Sequence, residues 1–205
     1  MDYVRPVETV IPGVQGRVLG VLTRSETAMT MRTVARLAGV SAQQASVILS
    51  ELVHLGVVSR QEAGSSALVS LDRSNEAGRL IAGLADLRYR VLERLREDAK
   101  LIDPAPASLI VFGSFARGEA DADSDIDVLA VRPHDIVPDN AAWVDSLGSW
   151  EIAVRKATGN GVNTIVVGAD EVPMLLRRRS GPWRDIVRDG VVLLGRPLTD
   201  LVSAA

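Results

Sequence analysis

The chain has 205 residues, of which 47% are hydrophobic and 24% charged, with a formal net charge of -3. That length suits one large or two small soluble domains, and that charge excludes a whole-chain polyanion binder, so any nucleic-acid contact must come from a local patch. Cysteine is absent, which excludes disulfides and thiolate metal sites and suits a reducing compartment. The first six residues, Met1 to Pro6, lack the apolar region of a signal peptide, and no uncharged apolar run is long enough to span a bilayer. The expectation is a cytoplasmic protein with no membrane partner.

In chain order, residues 14–24 read as a helix with Val14, Val18, Leu19 and Leu22 on one face. Thr30 then reads as an N-cap, and a short helix follows with Val34, Leu37 and Ala38 inward. Gly39-Val40-Ser41 is a tight turn in which Gly39 ends one helix and Ser41 caps the next. That next helix covers about 42–54, burying Ala45, Ile48, Leu49, Leu52 and Val53. Residues 57–61 and 67–71 alternate as two strands around a Gly64-Ser65-Ser66 turn.

A long helix is predicted over 75–100, with Leu80, Leu84, Leu87, Val91 and Leu95 at helical spacing; Asp103-Pro104-Ala105-Pro106 stops it. It reads as a connector or dimer element. Strands follow at 109–112, 126–131 and 162–167, and a last short strand or turn at 190–195. Helices cover 140–158, 171–178 and 182–188. The expected organisation is α+β, with a domain over 1–74, a linker helix over 75–103 and a second domain over 104–205.

The chemistry concentrates in Gly113-Ser114 through Asp125-Ile126-Asp127. A buried strand ends in Gly-Ser, where backbone amides and the Ser114 hydroxyl can cradle phosphate, and glycine permits close approach. Arg117 can add a charge-assisted bond to the same phosphates. Asp125 and Asp127 stand two apart at a strand start, so both carboxylates face one side. Two such hard oxygen ligands suit magnesium or manganese held jointly with substrate phosphates.

This segment resembles the DNA polymerase beta-like nucleotidyltransferase superfamily, especially its small bacterial members. Their hallmark is Gly-Ser, a ten-residue spacer and Asp-x-Asp, which residues 113–127 match in full; Arg117-Gly118 and Ser124 also fit. The resemblance implies a small mixed sheet with flanking helices. It implies a nucleoside triphosphate held by two metal ions and attack of a substrate hydroxyl on the alpha-phosphorus, with release of pyrophosphate. Carried over, Ser114 contacts the phosphates, Gly113 and Gly118 make room for the loop, and Asp125 and Asp127 bind the metals as catalytic residues.

The family's third carboxylate, on a later strand, would fall about where Asn163 sits. Asn is a neutral ligand and a poor general base. Asp170, Glu171 and Glu151 are candidate substitutes. Arg177-Arg178-Arg179 reads as a nucleic-acid or triphosphate contact or as a charged helix end, and Trp183 as a stacking platform or a core anchor. His54 and His134 show no metal-ligand spacing.

The first domain's helix, short helix, Gly-Val-Ser turn, second helix and hairpin resemble a winged helix-turn-helix of the MarR-repressor kind. Carried over, the helix at 42–54 is the recognition helix. Ser41, Gln43, Gln44, Ser46 and Val47 lie at its DNA-facing side, and Arg32, Arg36 and the wing residue Arg60 contact phosphates. Seven arginines stand against six acids up to Asn75, a surplus of one, so DNA binding would draw on a dimer's doubled contacts. The expected function is a DNA-tethered nucleotidyltransferase; the alternative is a DNA-binding regulator whose transferase domain is a non-catalytic nucleotide sensor. A toxin–antitoxin component of either type is a third reading.

Overall fold

The computed structural model describes residues 1–64, 66–178 and 181–202. Ser65 of the hairpin turn and Arg179 of the arginine run lie outside these. The chain forms two compact units: one holds Asp2 and Val4–Leu87, the other Met1, Tyr3 and the residues from Arg88 onward.

In the N-terminal unit the elements are α1 (Pro6–Val10), α2 (Val14–Thr23), β1 (Met29–Thr30), α3 (Met31–Ala38), α4 (Ala42–His54), β2 (Val58–Ala63), β3 (Ser66–Leu71) and α5 (Glu76–Ala85). The caps set the helix-turn-helix. The Thr30 hydroxyl accepts from the Thr33 amide at 3.2 Å and starts α3. Ser41 and Gln44 then form a reciprocal capping box that starts α4. Val18, Leu19, Leu22, Val34, Ala45 and Leu49 close the core between α2, α3 and α4. The sheet order is β1-β3-β2, antiparallel throughout, so β2 and β3 form the wing.

One inward residue differs from expectation. Leu37 is 51% exposed, and Ala35 is buried in its place beside Val34 and Ala38. At about 100° per residue, Val34, Ala35 and Ala38 share one face and Leu37 falls roughly a quarter to a third of a turn away.

A single connector across 75–103 is not what forms. Asp86 leaves helical geometry, with φ -92 and ψ 10, and separates α5 from α6 (Leu87–Ala99). α5 buries Gly78 and Ala82, while α6 buries Val91, Leu92, Leu95 and Ala99. The two halves belong to different cores, and the boundary between the compact units falls after Leu87.

The second unit continues with β4 (Ser108–Phe112), α7 (Gly113–Arg117), β5 (Ile126–Arg132), α8 (Ala141–Thr158), β6 (Val162–Gly168), α9 (Val172–Leu176), α10 (Trp183–Asp189), β7 (Val191–Gly195) and α11 (Leu198–Val202). Its sheet order is β6-β5-β4-β7; β5 and β6 are parallel and the other pairs antiparallel. One face carries Ile110, Phe112, Leu129, Val131 and Val167 and packs on α9, α10 and α11 through Val172, Trp183, Ile186 and Leu198. By strand alternation Leu109, Val111, Val128 and Ala130 point to the other face, and all four are fully buried. Among the described residues no helix is long and apolar enough to cross a membrane.

Candidate phosphate and metal site

The site lies where β4 ends, β5 begins and β6 begins. β4 turns at Gly113, whose φ of 71 only glycine adopts freely. The Asp127 carboxylate lies directly over Gly113, closer than the 3.0 Å that a real Cβ would tolerate. Gly113 therefore serves both the turn and the carboxylate. Ser114 follows, half-buried, and its carbonyl accepts the Glu119 amide at 2.8 Å. Gly118, at φ 78, ends α7, and Arg88 fixes that end by donating to the Ala116 carbonyl at 2.9 Å.

The two aspartates occupy consecutive outward positions at the head of β5. The pairing sets Ile126 against Val162 and Asp127 against Asn163. Asp125 falls beside Gly161, and its carboxylate lies so close over that residue that a Cβ there would be inside 3.0 Å. Asn163 Nδ2 donates to Asp127 Oδ1 at 3.0 Å. The strand register thus places Asn163 beside the Asp127 carboxylate.

Sequence reasoning missed the residue that holds this corner. Asn160, only 3% exposed, donates through Nδ2 to the carbonyls of Ser124 at 2.8 Å and Asp121 at 3.3 Å. Gly161 accepts the Ile126 amide at 2.8 Å. Within the loop the Ser124 hydroxyl donates to Asp121 at 2.7 Å, and this bond holds the Asp121 carboxyl below its ordinary range. The one sequence signal was the Gly159-Asn160-Gly161 turn ahead of a strand, and it carries no partner information.

The other candidates separate. Arg117 is paired with Glu119 at 2.8 Å and lies 4.0 Å from Asp189, so it is already engaged by carboxylates. Asp170 and Glu171 stand beyond the opposite end of β6, and Glu171 accepts the Gly168 amide there. The five residue steps from Asn163 to Gly168 span about 17 Å of parallel strand, out of reach of Asp127. Glu151 lines a cavity of about 490 Å³ with Arg132, Trp143, Val166 and Glu171, on the α8 side of the unit. Trp183 is a core residue. Arg177 and Arg178 are exposed beyond α9, and His54 and His134 are isolated on the surface. Among the described residues no group of three or more His, Cys, Asp or Glu side chains is arranged for a metal. Asp125 and Asp127 are two hard oxygen donors that could hold a divalent cation, and Asn163, a neutral amide, stands beside them.

In the N-terminal unit, Gln43, Ser46 and Val47 are exposed on α4, and Arg32 and Arg36 are exposed on α3. Among the described residues neither arginine is in an ion pair, unlike Arg24, which binds Glu8 at 3.0 Å. Three expected contacts have prior partners. Gln44 Oε1 accepts the Ser41 amide at 3.1 Å, so a bidentate bond to adenine would require breaking the cap. Ser41 Oγ accepts the Gln44 amide at 3.1 Å. Arg60 on the wing is held by Glu62 at 2.8 Å.

Comparison with known proteins places both halves. Residues 89–156 match the nucleotidyltransferase domain family, and residues 11–66 match the MarR family. A bifunctional uridylyltransferase/uridylyl-removing enzyme of Psychrobacter cryohalolentis is 36% identical over 58 residues. That stretch is 27% of this chain and 6% of the much longer enzyme. Two solved structures are similar over part of the fold. One is a toxin–antitoxin with AMP-PNP, at 16% identity and TM-score 0.34, covering 56% of this chain and 84% of that one. The other is a candidate nucleotidyltransferase from Sulfolobus solfataricus, at 23% identity and TM-score 0.31, covering 54% and 86%. The chain therefore carries a MarR-family domain followed by a nucleotidyltransferase domain.

Proposed function

We propose that the protein is a DNA-binding regulator whose nucleotidyltransferase domain binds a nucleoside triphosphate with magnesium or manganese and acts as a nucleotide sensor. The observation that supports it is the packing of the Asp127 carboxylate on Gly113, which sets a carboxylate against the Gly-Ser turn. In this reading the amides after Gly113 and the Ser114 hydroxyl orient the phosphates, and Asp125 and Asp127 hold the cation. The cation would neutralise phosphate charge. Arg117 joins only by exchanging Glu119 for phosphate. Gln43, Ser46 and Val47 on α4 would face bases, with Arg32 and Arg36 on phosphates.

A second reading, nucleotide transfer to an acceptor hydroxyl, is favoured by the complete Gly-Ser and Asp-x-Asp spacing. It requires a base for the acceptor proton, and Asn163 cannot serve as one. One experiment addresses both. DNA selected from a random pool on the full chain is tested by anisotropy with and without ATP, GTP, CTP or UTP and magnesium, in parallel with incubation of labelled nucleotides. The sensor reading expects DNA affinity to change with one nucleotide in the wild type and not in an Asp125→Ala, Asp127→Ala variant. Label on protein, RNA or a small acceptor would replace it with the transferase. Failure to enrich any DNA would sink the regulator.

A further inference from the structure

Resting on that reading of the site, we propose that Asn163 limits it to one divalent cation per bound nucleotide. The geometry at Asp127 supplies the argument. Its Oδ2 lies over Gly113, on the side of the phosphate loop, while its Oδ1 accepts the Asn163 amide at 3.0 Å. Facing a carboxylate, Asn163 must present its NH₂ group, because its carbonyl oxygen would bring two acceptors together. The bond therefore fixes the amide orientation chemically and turns the Asn163 oxygen away from Asp127.

The two oxygens of Asp127 are thus unequal. Oδ2 is available with Asp125 to a cation that also binds phosphate oxygens. Oδ1 is capped by an N–H donor. A second cation bridging Asp127 would have to displace that donor, and it would gain a neutral ligand in place of a charged one. The three acids weighed as substitutes do not supply the missing charge: Asp170 and Glu171 stand past the far end of β6, and Glu151 lines the cavity beside α8. Asn163 is exposed, so no demand of the core accounts for an amide there. The consequence is a site that grips a metal–nucleotide complex but lacks the charge to assemble a second cation at the attacking hydroxyl.

Substituting Asn163→Asp restores a carboxylate at the position paired with Asp127. Manganese binding to the full chain, saturated with a non-hydrolysable ATP analogue, is counted by electron paramagnetic resonance and calorimetry. One Mn²⁺ per bound nucleotide is expected for the wild type and two for Asn163→Asp. Without metal the variant sets two carboxylates against each other, so manganese should raise its melting temperature more than the wild type's. Two cations in the wild type overturn the proposal while leaving the nucleotide site intact, and this result does not depend on how the variant folds. One cation in a folded Asn163→Asp protein also overturns it. No metal and no nucleotide in the wild type would instead remove the site reading on which it rests.

Discussion

Gly161→Ala tests whether Asp125 is a ligand from the place the structure gives it. A methyl at 161 would lie inside 3.0 Å of Asp125 Oδ1. Gly161 has little room to retreat, because its carbonyl accepts the Ile126 amide at 2.8 Å and the preceding Asn160 is tied to the Asp125 loop. Asp125 is exposed and can swing out, so the carboxylate should yield rather than the strand. Stability should change little. Relieving the overlap costs at most ~1 kcal/mol if the carboxylate moves, and Gly→Ala returns about 0.4–1 kcal/mol through the unfolded chain. Binding should suffer more. A unit charge pair at 4 Å is worth about 4 kcal/mol at an effective dielectric of 20, and solvent exposure reduces that to about half at such a site. The expected loss in Mn²⁺–nucleotide affinity is about ten- to hundredfold, measured by calorimetry with a non-hydrolysable ATP analogue. Asp125→Ala should lose about as much, and the double variant little more, because both changes remove the same ligand. Wild-type affinity in Gly161→Ala, or full additivity in the double variant, would refute the reasoning.

Asn160→Ala leaves the Ser124 and Asp121 carbonyls without their buried donor and should cost about 1–3 kcal/mol. Hydrogen exchange should show faster opening of the Asp123 and Ser124 amides, and unchanged exchange there would remove Asn160 from its positioning role. Burial pushes the Tyr3 phenol up from 10.0 to about 12. The folded state favours the neutral phenol, so its contribution to stability is complete below pH 10 and is lost as pH rises towards about 12. Ultraviolet titration of a Tyr89→Phe variant isolates Tyr3, and a transition near 10 would contradict its burial against Phe115, where the rings meet edge-on at 4.8 Å. Arg32→Ala and Arg36→Ala should each weaken DNA binding across sequences and reduce the salt slope by about 1. An unchanged slope would take α3 off the phosphate backbone.

The parts of the fold legible in the sequence were those fixed by local rules. Short apolar runs such as 109–112 and 126–131 read as strands by their length and β-branched content, and Thr30 and Ser41 marked the helix starts. The break at Asp86 was hidden because Leu80 to Leu95 keep helical spacing straight through it. Leu80 is nevertheless 59% exposed, so those leucines do not form one stripe. Each half answers to its own core. Leu37 was misplaced because an eight-residue helix offers too few turns to fix its inward face. The short helices α1 and α11 carry too little periodicity to register at all.

The same division separates the side chains of the site from their partners. Gly113, Asp125 and Asp127 stand out in the sequence because the proposed chemistry needs those residue types at that spacing. Partners were readable only when close in sequence, and then only if the competing bond was weighed. Ser41 and Gln44 spell a capping box by their spacing alone, and that box competes with Gln44 as a base reader. What could not be read was contact made through the parallel pairing of β5 with β6. That pairing sets Gly161 under Asp125 and Asn163 beside Asp127, and it delivers the Asn160 clamp to the loop. The start of β6 is therefore as much a part of the site as the Gly-Ser turn. Asn163 matters less as a missing carboxylate in an alignment than as a hydrogen-bond donor occupying the oxygen that a second metal would need.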